Sequence, residues 1–140
     1  MKSYFYIEPE VAGGWGANTV VDTSCHPPHV SKLNYEFSGW IGDDLLESFP
    51  CYIVTERLQK DLIKTGLTGF FFDEVEISKS EEFMDVFGDK HLPNFAWLKI
   101  VGDAGKDDFG IADDYRLVIS DAAYNLLRSH QLNNATVEPY

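Results

Sequence analysis

Cationic side chains are scarce in this chain. Eleven Lys and Arg stand against twenty-three Asp and Glu in 140 residues, a formal charge of −12. So negative a molecule is repelled by phosphate backbones and anionic lipid, which argues against a nucleic-acid reader or a membrane-surface protein. Cysteine is nearly absent too. Cys25 and Cys51 are too few for a disulfide framework at this length, and the sequence predicts a reducing, cytoplasmic setting. Long apolar runs are missing as well. Residues 1–10 (MKSYFYIEPE) alternate apolar with polar side chains, whereas a signal peptide needs an apolar stretch of about 7–15 residues. No segment reaches the ~18 apolar residues of a spanning helix, so the Asn134-Ala135-Thr136 sequon has no expected secretory route. No Pro/Ser/Gly-rich linker or block of like charge divides the chain, which predicts one domain over 1–140.

The familiar signatures of catalysis are also lacking. There is no Gly-x-Ser-x-Gly elbow to expose a nucleophile. Gly13-Gly14-Trp15-Gly16 has neither the Lys-Ser/Thr of a phosphate loop nor a strand-to-helix setting for a dinucleotide. Cys25-His26-Pro27-Pro28-His29 is the one stretch with metal-ligand residue types. Zinc takes about four such ligands, or three plus water, and the adjacent Cys25 and His26 cannot easily face one ion beside stiff Pro27-Pro28. Cys51, His91 and His130 are scattered. The loop from Asp103 to Asp108 lacks the alternating ligands, central Gly and closing Glu of a calcium loop. These readings predict no cofactor and no catalytic residue. A small metal-assisted enzyme built on Cys25, His26 and His29, and a non-catalytic adaptor domain, stand as the alternatives.

What is present is enough to fold. Hydrophobic residues reach 44% and aromatics 14%, which excludes disorder. The first half is rich in turns. Tyr4 and Tyr6 suggest a first strand before Pro9, and Leu33, Tyr35 and Phe37 alternate as a second. Asp43 and Asp44 are placed to cap a helical turn through Glu47. The second half is more regular. Tyr52-Ile53-Val54 predicts a strand ending at Thr55, an N-cap residue for a helix that buries Leu58 and Leu62 and stops at Gly66. Phe70–Val75 predicts a strand, and Ser78 with Glu81 a capping box before a helix with Phe83 and Phe87 inward, closed by Gly88. Asn94–Val101 predicts a further strand, followed by a polar acidic loop from Gly102 to Asp114. Leu117-Val118-Ile119 then leads into Ser120, a helix to about His130 and a closing strand near 135–138.

A shift of 65 residues carries Ile53-Val54-Thr55-Glu56 onto Val118-Ile119-Ser120-Asp121. It also carries Leu62 onto Leu127, Leu67 onto Leu132, Thr68 onto Asn133 and Asp73 onto Glu138. In each copy a hydroxyl satisfies an orphan helix amide, and an acid follows it where the helix dipole favours negative charge. The expected fold is α+β: a mixed or antiparallel sheet with two related strand–helix–strand units, about 51–76 and 116–138, and a turn-rich N-terminal half.

The segment Val54-Thr55-Glu56-Arg57-Leu58, with Leu62 and the return through Leu67-Thr68-Gly69 to Val75, resembles a segment of immunity proteins from bacterial polymorphic toxin systems. Val118-Ile119-Ser120 is similar to the C-terminal partner segment of that group. The likeness spans roughly 50–77 and 115–138 and leaves the first fifty residues uncovered. Some relatives carry Cys-x-x-Cys pairs, which this chain lacks. The resemblance implies a small cytoplasmic inhibitor, without catalysis, that blocks a cognate toxin. The charge suggests that the toxin is basic. Expected contact residues are the acidic pairs Asp43-Asp44, Asp107-Asp108 and Asp113-Asp114, with Trp15 and Trp40 as aromatic anchors.

Overall fold

Residues 2–140 are described by the computed structural model. Alternating and β-branched segments become the strands β1 (Tyr4–Glu8), β2 (Gly13–Trp15), β3 (Val20–Asp22), β4 (His29–Lys32), β5 (Asn34–Phe37), β6 (Leu45–Ser48) and β7 (Cys51–Thr55). Helix α1 (Glu56–Lys64), β8 (Phe70–Asp73), β9 (Glu76–Lys79), α2 (Glu81–Phe87) and β10 (Phe95–Ile100) follow. The chain ends with β11 (Phe109–Ile111), β12 (Leu117–Ser120), α3 (Asp121–Arg128) and β13 (Thr136–Pro139). The architecture is α+β in one small domain. Two antiparallel four-stranded sheets, ordered β6-β7-β10-β8 and β11-β12-β1-β13, form its centre. A three-stranded sheet β2-β5-β9 and the hairpin β3-β4 lie outside them.

The two central sheets are copies of one design. Each has a short outer strand, a strand ending in a hydroxyl N-cap, a helix and a return strand. The return strands pair in matching register: Trp97 lies opposite Asp73 in one sheet and Tyr6 opposite Glu138 in the other. Glu138 is Asp73 shifted by 65. Thr55 accepts from the Leu58 amide, and Ser120 from the Ala123 amide, at corresponding helix starts. The side chains also correspond. Val54, Leu58 and Leu62 are buried in one core with Ile119, Ala123 and Leu127, and the central strands add Leu98 and Ile7. Only the third strand departs from chain order. In the first copy β10 follows the helix and return strand; in the second, the N-terminal β1 occupies that place.

The outer face of β7 and β10 carries Cys51, Ile53 and Trp97. It is sealed by Tyr35 and Phe37 of β5 and by Phe83 of α2, a second core that occupies the turn-rich half.

Three local expectations are corrected. Residues 45–47 extend as β6 rather than coiling, because pairing with β7 buries both Leu45 and Leu46. Helix α1 closes on Thr65, whose hydroxyl and amide both donate to the Leu62 carbonyl, so Gly66 supplies no left-handed stop. The cap of α2 is Ser80, while Ser78 lies in β9. Gly88 does end that helix, at φ +57°.

Candidate functional site

The acidic pairs expected at an interface have two different fates. Asp43 and Asp44 are each 1% exposed, and Asp108 is buried with them. Asp43 accepts from the Asn133 and Asn134 amides at 2.9 and 2.7 Å. Asp44 accepts from the Thr55 hydroxyl (2.5 Å), the Arg57 Nε (2.6 Å) and the Gln131 amide (2.8 Å). Asp108 accepts from the Ser120 hydroxyl at 2.7 Å and the Thr68 amide at 3.0 Å. Each of Asp44 and Asp108 thus steadies the N-cap hydroxyl of its own unit and grips the loop before the return strand of the other. These three carboxylates are internal clasps between the copies, not contact residues, because every one is enclosed and occupied. The sequence pattern cannot separate such an acid from a solvated loop acid, since its partners lie across the repeat.

Burial alone would raise the Asp44 carboxyl, but the bonds from Arg57, Thr55 and Gln131 outweigh it and hold it below its ordinary value. Asp108 is likewise lowered, its burial outweighed by Ser120 and Thr68. Glu10 and Glu47 move the other way. Burial pushes both up, despite the Ile41 and Asp43 amides that bond Glu10 and the Tyr52 hydroxyl that bonds Glu47. A raised carboxyl is protonated first in the folded state, so stability grows as pH falls through its raised value. A lowered one resists protonation when folded, so stability is lost once pH drops below about 3.9, the unfolded Asp value. The melting temperature should therefore climb as pH falls from neutrality through the raised carboxyls of Glu10 and Glu47, and fall steeply below about pH 4, where Asp44 and Asp108 are forced to protonate. A scan that only declines from neutrality would contradict this ordering.

The remaining expected residues sit near the surface. The Asp107 carboxylate accepts from the Asp103 amide at 2.8 Å, which closes a turn. Asp113 and Asp114 are exposed at the β11–β12 hairpin, where Asp114 pairs with Arg116 at 2.7 Å. Trp15 packs against the second core, with its indole nitrogen buried and unpartnered. Trp40 is half-buried, donates from Nε1 to the Asp43 carbonyl at 3.0 Å and packs edge-on against Phe95. Cys25, His26 and His29 do not converge. The Cys25 thiol donates to the Asp22 carbonyl, and the His26 ring leans on Tyr115 and Phe49. Among the described residues no three His, Cys, Asp or Glu side chains come together as a metal site.

The most distinctive surface surrounds Trp40. Helix α2 inserts Phe83 into the second core but leaves Met84, Val86 and Phe87 exposed, Val86 at 73% and Phe87 at 38%. Phe87 was expected inward. The helix is too short and too apolar to hide four large side chains on one stripe. Lys90 spans the rings of Trp40 and Phe87 at 5.7 and 5.4 Å, and Ile41 lies exposed next to Trp40 in sequence. Around this apolar ground stand Glu81, Glu82, Asp85 and Asp89, all exposed and none ion-paired among the described residues. An open groove of about 700 Å³ runs beside it along Ile77, Leu92 and Phe95, and a second of about 380 Å³, which shares His91 with the first, is lined by Trp40 and Arg57. These α2 residues escaped the sequence reading. The available signal was four apolar residues in seven positions, more than one helical face can bury. No family model matches the chain, and no curated protein is detectably similar to it.

Proposed function

We propose that this protein is an immunity-type inhibitor that binds and blocks a basic protein toxin through the α2–Trp40 surface, without catalysis of its own. The observation that carries the reading is the union of uncovered apolar side chains with unpaired acids on one short helix. Large apolar groups supply affinity once water is expelled, and acids at the margin steer a cationic partner, raising association rates by about 10–10³-fold. The formal charge of −12 supports the same partner. So does the resemblance of residues 54–58 to the toxin-immunity group. No helix among the described residues is long and apolar enough to cross a membrane.

The product of the reading frame beside this gene is the probe. It should arrest growth when expressed alone, and co-expression of this chain should restore growth. A harmless neighbour, or one that stays toxic, rejects the reading. Reversing Glu81, Glu82 and Asp85 to Lys should slow association about tenfold and weaken its salt dependence. Val86→Arg should speed dissociation. All of these positions are exposed, so Val86→Arg should leave the melting temperature close to that of the parent, while the triple reversal should lower it modestly because Glu81 and Glu82 sit in the first turn of α2, where the helix dipole favours acids.

A further inference from the structure

The two central sheets present four outermost strands, and three of them are closed to further pairing. Glu10 bridges to Leu46 alongside β6, and Asp103 bridges to Ile111 alongside β11. In β13, Pro139 withdraws a donor and Glu138 adds charge, two devices that discourage strand pairing. Strand β8 occupies the same place in its sheet as β13 does in the other, yet it reads Phe70-Phe71-Phe72-Asp73 with no proline. Its ladder runs to β10 on one side only, and among the described residues Phe70–Asp73 make no other backbone-to-backbone hydrogen bond. Phe71 is 47% exposed.

We propose that β8 is a strand-addition edge that takes an extended, cationic segment of a partner protein. Main-chain pairing along a free edge supplies affinity, and pockets for alternate side chains supply selectivity. Phe71 also closes one end of a groove of about 440 Å³ that runs inward from the edge over β10 and β7, lined there by Trp97, Lys99, Ile100 and Pro50. Acids stand at both ends of the edge. Asp73 and Glu74 are exposed at its close. At its start Asp107 lies so near Gly69 that a Cβ on that glycine would meet the Asp107 Cβ at 2.9 Å. Asp73 is already paired with Lys99 at 3.2 Å, which leaves Glu74 as the uncompensated acid at that end among the described residues. Gly69 to Asp73 spans about 13 Å of extended chain, which suits two cations four residues apart. A second copy of this chain fits poorly, because it would bring another −12 to the same edge.

This contact goes beyond the inhibitory reading and is tested without any toxin. The ¹⁵N-labelled full chain is titrated with the synthetic peptide acetyl-TVKVTVKVT-amide and, separately, with its Glu-for-Lys counterpart. The expected result is shifts and slowed hydrogen exchange concentrated at Phe70–Asp73 with the lysine peptide, at least tenfold weaker with the acidic one. Phe71→Lys should abolish them while leaving the rest of the spectrum in place, which also shows that the variant folds. Equal response to both peptides, shifts centred elsewhere, or silence up to millimolar peptide overturns the proposal. Concentration-dependent shifts at β8 without peptide would assign the edge to a second copy instead, and that too overturns it.

Discussion

Leu62→Ala and Leu127→Ala should each lower the free energy of unfolding by about 2–5 kcal/mol, measured by urea denaturation. Both side chains are buried at equivalent places in one shared core, Leu62 on α1 and Leu127 on α3. Each truncation removes buried methyl groups and leaves a void between two sheets that cannot readily close. Because the surroundings repeat, the two losses should resemble one another more closely than either resembles a substitution outside the core. Ile63→Ala, next to Leu62 but facing solvent, and Asp113→Ala, on the hairpin tip, should each stay within about 0.5 kcal/mol. Similar shifts for all four variants would contradict the shared core.

Asp44→Ala should cost about 2–4 kcal/mol, again read from the urea midpoint. The carboxylate is the common acceptor for a helix-capping hydroxyl, a guanidinium and a backbone amide from the other unit. Removing it takes the acceptor from the buried Thr55 O–H, which then keeps only the Leu58 amide it accepts from, and from the part-buried Gln131 amide, and the second loss loosens the junction between the copies. Arg57 returns to water and contributes less, since its side chain is 56% exposed. Asp44→Asn should also be costly despite its shape. One acceptor oxygen becomes a donor that faces either the Gln131 amide or Arg57. A double-mutant cycle with Thr55→Val isolates the capping share, and additivity there would refute the clasp.

The repeat was legible because its residues act locally. A hydroxyl cap, a following acid and leucines at helical spacing need no distant partner to declare themselves, and Thr55, Ser120, Leu62 and Leu127 all stand where that pattern puts them. Asp43 and Asp44 misled for the opposite reason. The donors to Asp43, and the Gln131 amide that bonds Asp44, lie some ninety residues away in the chain, and an acid beside a glycine gives no sign of being enclosed. The β6 segment failed likewise: two leucines in succession fit a helical turn until β7 claims one face and the second core the other. Trp15 and Trp40 are each flanked by glycine in the sequence, and only the fold shows that both lie half-buried against the second core. The α2 surface was missed because a capping box and two phenylalanines were enough to explain the helix.

The borrowed strand of the second sheet has a consequence for how the molecule is made. β1 leaves the ribosome more than a hundred residues ahead of its neighbours, which begin at Leu117 and Thr136, so it must wait unpaired while the intervening chain is made. The Tyr140 amide donates to the Tyr4 carbonyl at 3.0 Å, which sets the start of β1 beside the residue that follows β13. A relinked chain, joined there by a short tether and reopened after Glu8, would place β1 behind β13 and restore the same order in both halves. Such a permutant should assemble faster than the parent while reaching the same final shape.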